Sequence, residues 1–145
     1  MSFTTIILAA AKTAGVSGSL LLAICTHESG LKNTLVQNDK GSPTFGICQI
    51  KAPAAAQVGF IGNPLALMVP EVNAKYAARY LRYQLNRYDQ DSCMAVAAYN
   101  MGSYRESKKH PGQPTNISYI AEVATKSNEN LFGAFNCRNN QVAEQ

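Results

Sequence analysis

The chain has 145 residues, of which 46% are hydrophobic and 15% are charged, a composition that fits one globular domain and excludes a disordered chain. The formal net charge of +4 mildly favours a polyanionic partner, such as nucleic acid, an anionic lipid surface or a wall polymer. No apolar run approaches the roughly 20 residues needed to cross a bilayer, so we expect no transmembrane segment.

The helical spacing of apolar residues predicts one all-α domain with at most a minimal β component. Four of the predicted helices are Phe3–Ala14, Ala54–Val58, Cys93–Asn100 and Ile117–Ala124. A further helix follows the first one, is capped by Ser17 or Ser19 and is stopped by Gly30. A long helix begins at Pro70 and ends near Tyr88. Polar loops are predicted over residues 32–45, with a turn at 38–41, and over residues 102–115. The domain covers residues 1–145, with its core over 3–126 and a polar tail over 136–145.

Glu28 lies at the end of an otherwise apolar stripe on the second predicted helix. Leu21, Ile24 and Cys25 precede it at helical spacing, so the four residues share one face, which should face the core. Because burial penalises a charged carboxylate, we expect a raised pKa for Glu28 and a proton held near neutral pH. Such a carboxyl can act as a general acid. The alternative is a Glu whose stem packs on the core while its head reaches water.

The four cysteines are Cys25, Cys48, Cys93 and Cys137. They form no C-x-x-C pair and the chain has two histidines, so we expect no metal site and no cofactor. Cys25 and Cys93 lie in apolar helical runs, where a free cysteine behaves as a small hydrophobic residue. We therefore expect four free thiols, although an even count also permits disulfides.

Lys75, Arg79 and Arg82 recur at helical spacing after Pro70, and tyrosines lie between them. Basic and aromatic residues together can form a nucleic-acid surface. The tyrosines can equally pack inwards while the cations make a solvated outer face, and we favour this interpretation. We therefore expect no nucleic-acid partner.

Five short motifs occur in order along the chain. They are H-E-S-G-L at 27–31, G-I-C-Q-I at 46–50, P-E-V-N at 70–73, A-A-Y-N-M-G at 97–102 and Y-I at 119–120. The set resembles the soluble lytic transglycosylases, goose-lysozyme-like enzymes that cleave bacterial peptidoglycan and carry E-S, G-L-M-Q-I, P-E-x-N, A-Y-N-A-G and a late tyrosine. The resemblance covers residues 17–119 and implies a lysozyme-like fold with a substrate groove.

The resemblance implies that Glu28 is the single catalytic acid and base. Glu28 would protonate the glycosidic oxygen between N-acetylmuramic acid and N-acetylglucosamine, while the substrate's acetamido group stabilises the positive charge at the anomeric carbon. Glu28 would then take a proton from the muramic C6 hydroxyl, which closes a 1,6-anhydro ring; this is an exception to the two-carboxylate pattern of most glycosidases. Tyr119 would form a hydrogen bond with Glu28 and orient its carboxyl group.

The resemblance also implies a set of substrate-binding residues. Gln49 would reach into the groove and hydrogen-bond the N-acetyl or hydroxyl groups of a sugar, since its amide both donates and accepts. Ser29 would order the groove beside the acid. Tyr99 would line the sugar site, and Asn100 would fix the local backbone. Cys48 stands where the family usually has methionine, and its shorter side chain implies a roomier subsite or one filled by another group.

Two other functions remain open for this sequence. A lysozyme would hydrolyse the same bond with a second carboxylate, for which Asp39 is the close candidate; inverting hydrolases hold their two carboxyls roughly 6.5–9.5 Å apart. A non-catalytic wall-binding or virion domain would keep the fold without the chemistry. The products of peptidoglycan digestion distinguish the three functions.

The N-terminus lacks the basic start and long apolar run of a secretory signal, so we expect a chain without its own export signal. The corresponding hypothesis is a monomeric phage protein, made in the host cytoplasm and acting on the periplasmic wall. It would be either a virion component, with other virion proteins as partners, or an endolysin released at lysis. An exported secretion-system or invasion-associated transglycosylase is the alternative.

Overall fold

The structure, a computed structural model, describes residues 1–39, 41–127 and 137. Its elements are α1 (Phe3–Ala14), α2 (Gly18–Ser29), β1 (Leu35–Asp39), β2 (Ser42–Phe45), α3 (Ala52–Gln57), a 3-10 helix (Pro64–Met68), α4 (Pro70–Arg87), α5 (Ser92–Met101) and α6 (Ile117–Lys126). The predicted, mostly helical fold with a minimal β component is confirmed. The predicted polar tail lies outside the described residues, except for Cys137.

The ends of the helices follow the capping residues in the sequence. The Ser17 hydroxyl accepts a hydrogen bond from the N–H of Leu20 at 3.1 Å, and Gly30 takes a left-handed φ of 66° after the last turn of α2. Asp91 caps α5 in the same way, accepting from the N–H of Met94 at 2.9 Å. Because caps satisfy N–H groups that have no partner within the helix, they fix where α2 and α5 begin.

Helix α5 lies at the centre of the core. Its residues 93–99 are all buried, so it presents almost no side chain to solvent along most of its length. Helix α4 packs against α1 and α5, while α2 packs against α1 and α6. Three alanines of α5, Ala95, Ala97 and Ala98, are fully buried, and their small side chains let the neighbouring elements approach closely. No helix in the described ranges is long and apolar enough to span a membrane.

The prediction of a polar loop over residues 32–45 is wrong, because β1 and β2 form an antiparallel hairpin there. Leu35 pairs with Phe45 and Val36 pairs with Thr44, while the ladder is irregular between Val36 and Asp39. The strands are short and mostly polar, so the spacing of apolar residues gives little sign of them. Phe45 also pairs with Ile50, which closes the tight turn of residues 46–49.

The expectation of four free thiols is wrong as well. Cys25 is bonded to Cys48, and Cys93 is bonded to Cys137. The partners are 23 and 44 residues apart in sequence, and a disulfide requires a Cα separation that only the folded chain defines. The first disulfide joins α2 to the turn of residues 46–49. The second joins the start of α5 to the segment beyond α6.

Candidate active site

A groove of about 280 Å³ lies between two walls of different construction. One wall comes from the end of β2, the turn that follows it and α3, and the other comes from α4 and the last turn of α5. Its lining residues are Glu28, Thr44, Gln49, Ile50, Lys51, Pro53, Ala54, Gln57, Tyr80, Tyr99, Asn100, Met101 and Gly102. Among the described lining residues, Glu28 is the one carboxylate.

Glu28 is held by a tyrosine from α6, a helix that begins 89 residues further along the chain. The hydroxyl of Tyr119 donates to Oε2 of Glu28 at 2.7 Å, and the ring of Tyr119 is buried. Burial raises the pKa of Tyr119 well above its usual value, and the negative charge of Glu28 acts in the same direction. Tyr119 therefore keeps its proton and remains a donor to the carboxyl group.

His27 contacts the ring of Tyr119 and the carboxyl group of Glu122, a residue of the same helix as Tyr119. The His27 ring meets the Tyr119 ring edge to face, with the two centroids 5.0 Å apart. Nδ1 of His27 lies 3.3 Å from Oε2 of Glu122, which is one turn after Tyr119 on α6. Burial lowers the pKa of His27, against the raising effect of Glu122, so the imidazole is held towards its neutral form.

Gln49 lines the groove, but its amide is engaged within the protein. Nε2 donates to the carbonyls of Thr34 and Gly46, both at 2.9 Å, and Oε1 accepts from the Thr44 hydroxyl at 2.5 Å. Both amide hydrogens therefore have partners, while Oε1 retains one acceptor position. In this arrangement Gln49 can accept a hydrogen bond from a sugar, but it has no amide hydrogen to donate to one.

The turn that carries Gln49 depends on Asn73, a buried residue whose role the sequence alone did not reveal. Asn73 Nδ2 donates to the carbonyls of Phe45 and Leu67, at 2.6 and 2.8 Å, and Oδ1 accepts from the N–H of Cys48 at 2.8 Å. The P-E-V-N motif was the available signal, but sequence spacing does not show which backbone groups the amide contacts. Gly46 leaves room for this amide and adopts a left-handed φ of 78°.

Ser29 ties the end of α2 to the same turn. Its hydroxyl donates to the carbonyl of Ile47 at 2.6 Å and accepts from the N–H of Lys32 at 3.2 Å. The Cys25–Cys48 disulfide makes a second, covalent link between the same two segments. The Glu28 helix and the Gln49 turn are therefore joined at two points.

The structure corrects the interpretation of Cys48. Its side chain is fully buried and disulfide-bonded, so it cannot shape a roomier sugar site as expected. Its carbonyl accepts from the Tyr99 hydroxyl at 3.2 Å, which places the buried Tyr99 ring on the groove. Burial raises the pKa of Tyr99 well above its usual value, and the charge of Glu28 contributes in the same direction. Tyr99 is therefore a neutral group.

Asn100 connects the groove to α6. Its Oδ1 accepts from Nδ2 of Asn116 at 3.0 Å, and the same Nδ2 lies 3.2 Å from the carbonyl of Ala97. Because Asn116 immediately precedes α6, this contact positions the helix that carries Tyr119. The side chain of Asp39, the candidate second carboxylate, lies outside the part of the chain that the structure describes.

A small helical domain with a short β-hairpin and a groove beside one held carboxyl group belongs to the lysozyme-like class of folds. Residues 5–135 match the model of the family described as the Transglycosylase SLT domain. The chain therefore belongs to the transglycosylase SLT domain family.

The fold is also similar to a solved structure, the X-ray structure of an inactive Glu-to-Gln mutant of the lytic transglycosylase Slt from Pseudomonas aeruginosa. The two share a TM-score of 0.62 and 21% sequence identity over 82% of this chain. The match covers 20% of the Pseudomonas chain, so this chain corresponds to about a fifth of that protein.

Proposed function

We propose that the protein cleaves peptidoglycan strands between N-acetylmuramic acid and N-acetylglucosamine and forms a 1,6-anhydro product, with Glu28 as acid and then base. The carboxyl group gives its proton to the glycosidic oxygen, and the bond from that oxygen to the muramic C1 breaks. The muramic C6 oxygen then bonds to C1, and its proton goes to Glu28. The enzyme regains its starting state and no water is consumed.

The observation that carries the proposal is the Tyr119–Glu28 hydrogen bond of 2.7 Å beside a groove in which Glu28 is the one carboxylate among the described lining residues. A single group that first gives and then regains a proton needs no second carboxylate. It does need a fixed orientation, which Tyr119 supplies as a positioning residue that acts through Glu28. Tyr99 and Asn100 line the groove, where a sugar would lie.

The proposal extends to where the protein acts. Disulfides form and persist in oxidising compartments such as the bacterial periplasm, and both cysteine pairs of this chain are bonded. We place the active form on the periplasmic side, either as part of a phage particle or as an endolysin released at lysis. Detection of the protein in purified phage particles supports the virion role, whereas a cleaved N-terminus in the periplasm of an uninfected cell contradicts a phage role.

The test of the chemistry is digestion of purified peptidoglycan by the wild type and by Glu28→Gln, with the products read by mass spectrometry without reduction. General acid–base catalysis contributes roughly 10²–10⁴-fold, so we expect Glu28→Gln to lower the rate at least about 100-fold. Wild-type products should end in 1,6-anhydromuramic acid. Glu71→Gln is the matched control, since it makes the same change at an exposed carboxyl in the first turn of α4.

Each other outcome favours a different function. Free reducing ends would indicate a lysozyme and direct attention to Asp39. Cleavage by neither protein would favour a wall-binding or structural domain. Equal rates for the wild type and Glu28→Gln would refute the role of Glu28.

A further inference from the structure

Lys51 is the one basic residue among the described residues that line the groove. Its backbone is fixed on both sides: Ile50 pairs with Phe45, and the Lys51 carbonyl accepts from the N–H of Ala55 at 3.0 Å at the start of α3. Lys51 is itself the N-cap residue of α3, with an extended φ of −87° and ψ of 148°. The wall therefore fixes the backbone of Lys51, while the ammonium group at the end of the side chain can change its position.

The charge of Lys51 is not used to hold the fold together. Within the described ranges, its ammonium group has no hydrogen-bond or ion-pair partner, and the residue is partly exposed. Arg87, near the other wall, differs in this respect: its guanidinium donates to the carbonyl of Gly102 at 2.8 Å and to the Ser103 hydroxyl at 2.8 Å. Lys51 thus offers three N–H donors and a positive charge to whatever enters the groove.

The sugar rings of peptidoglycan are uncharged, whereas the lactyl-peptide substituent of muramic acid carries carboxylates. We propose that Lys51 binds a carboxylate of this substituent and thereby selects strands that carry it. This inference rests on the proposed function, because it names the part of the proposed substrate that a residue of the same groove binds. Lysine suits the task because it acts as a compact charge on a flexible stem, and a peptide carboxylate occupies no single fixed position.

The test compares soluble, un-cross-linked strands before and after their carboxylates are coupled to methylamine with a carbodiimide, which removes the charges. We expect Lys51→Gln to lower kcat/KM on untreated strands about fivefold, mainly through KM, since partly exposed ion pairs stabilise modestly. On methylamine-coupled strands the two proteins should be equal. Lys51→Arg should restore most of the loss, because it retains the charge.

A third substrate identifies the source of the carboxylate. Strands freed of stem peptides by an amidase carry the charge on the lactyl group itself. In intact strands the lactyl carboxyl forms the amide bond to the peptide, so a loss in Lys51→Gln confined to intact strands assigns the contact to the stem peptide. A loss on the amidase-treated strands as well shows that Lys51 also binds the lactyl carboxylate.

Lys12→Gln is the matched control, because it removes the same charge from an exposed position on α1 and reports general attraction to an anionic polymer. An equal loss on charged and neutralised strands, an equal loss in Lys12→Gln, or no loss in Lys51→Gln would each overturn the inference. If the wild type forms no anhydro products, the proposed function fails first. If it forms them and Lys51→Gln matches it on every strand, the role of Lys51 alone is refuted.

Discussion

Substitution of Tyr119 by phenylalanine isolates one hydrogen bond while keeping the buried ring. The hydroxyl donates to Glu28 at 2.7 Å, and a hydrogen bond to a charged group contributes about 1.5–3 kcal/mol. Because Tyr119 keeps its proton, its hydroxyl can donate to the carboxylate, and this bond stabilises the ionised form more than the neutral form of the carboxyl group. Tyr119→Phe should therefore make Glu28 hold its proton to higher pH.

The size of the effect follows from the same figures. A bond to the neutral carboxyl would still contribute about 0.5–1.5 kcal/mol, and one pH unit corresponds to about 1.36 kcal/mol of difference between the two forms, so the descending limb of the kcat/KM profile should move upward by about one pH unit. The direction of this shift follows from the chemistry. The reaction begins with a protonated Glu28, so activity is lost at the pH at which that proton leaves. We also expect a lower kcat at the optimum, because the carboxyl loses a constraint on its orientation.

The assay is release of 1,6-anhydro products from soluble strands, followed from about pH 5 to about pH 9 so that both limbs are recorded. Tyr104→Phe is the control, because its hydroxyl lies 3.5 Å from the exposed carboxyl of Glu106 rather than beside Glu28. A limb that stays in place or moves to lower pH in Tyr119→Phe would refute the reasoning. Thermal melting of each variant checks that the fold is retained.

Three further predictions concern stability. Gly46→Ala should lower the free energy of unfolding by more than about 2 kcal/mol, because a Cβ there meets a buried amide and a backbone carbonyl. Gly15 also has a positive φ but open space around it, so Gly15→Ala should lower the free energy of unfolding by about 1 kcal/mol. Urea titration measures both changes. Replacing Cys25 and Cys48 together by alanine should cost about 3 kcal/mol for a link spanning 23 residues, and an unchanged urea midpoint would contradict this. Burial lowers the pKa of His27 in the folded state, so the unfolded chain binds more protons as the pH falls through 6.5. His27→Gln should therefore lose less stability than the wild type between about pH 7.5 and about pH 5.5, and an equal loss in both proteins would contradict it.

The parts of the fold that depend on local chemistry could be predicted from the sequence. The bounds of α1 are predicted correctly, because Ser2 accepts from the N–H of Thr5 at its start and Gly15 takes a left-handed φ at its end. The same holds for the Ser17 cap and the Gly30 stop of α2. Each of these signals involves residues within one turn of one another, so spacing along the chain is sufficient.

The parts that depend on distant contacts could not be predicted. Cys25 looks like an ordinary core residue of an apolar helix, and its bond to Cys48 follows only from how α2 meets the turn. From its sequence position, the amide of Gln49 was expected to bind a sugar, and a bond to nearby backbone was the alternative. Its two N–H groups go to the carbonyls of Thr34 and Gly46, which only the folded hairpin brings within reach, while Oε1 retains an acceptor position. The Tyr119–Glu28 contact was expected from family resemblance rather than from spacing, since 91 residues separate the pair.

The burial of α5 has a consequence for protein engineering. Seven consecutive residues of this helix, 93–99, are packed inside, so a change of size there disturbs the core before it alters the groove. The opposite wall begins with the partly exposed Lys51 and continues into α3, where Pro53 and Gln57 are exposed. Libraries that aim to change what the groove accepts should therefore vary Lys51, Pro53 and Gln57 and keep the buried residues 93–99 constant.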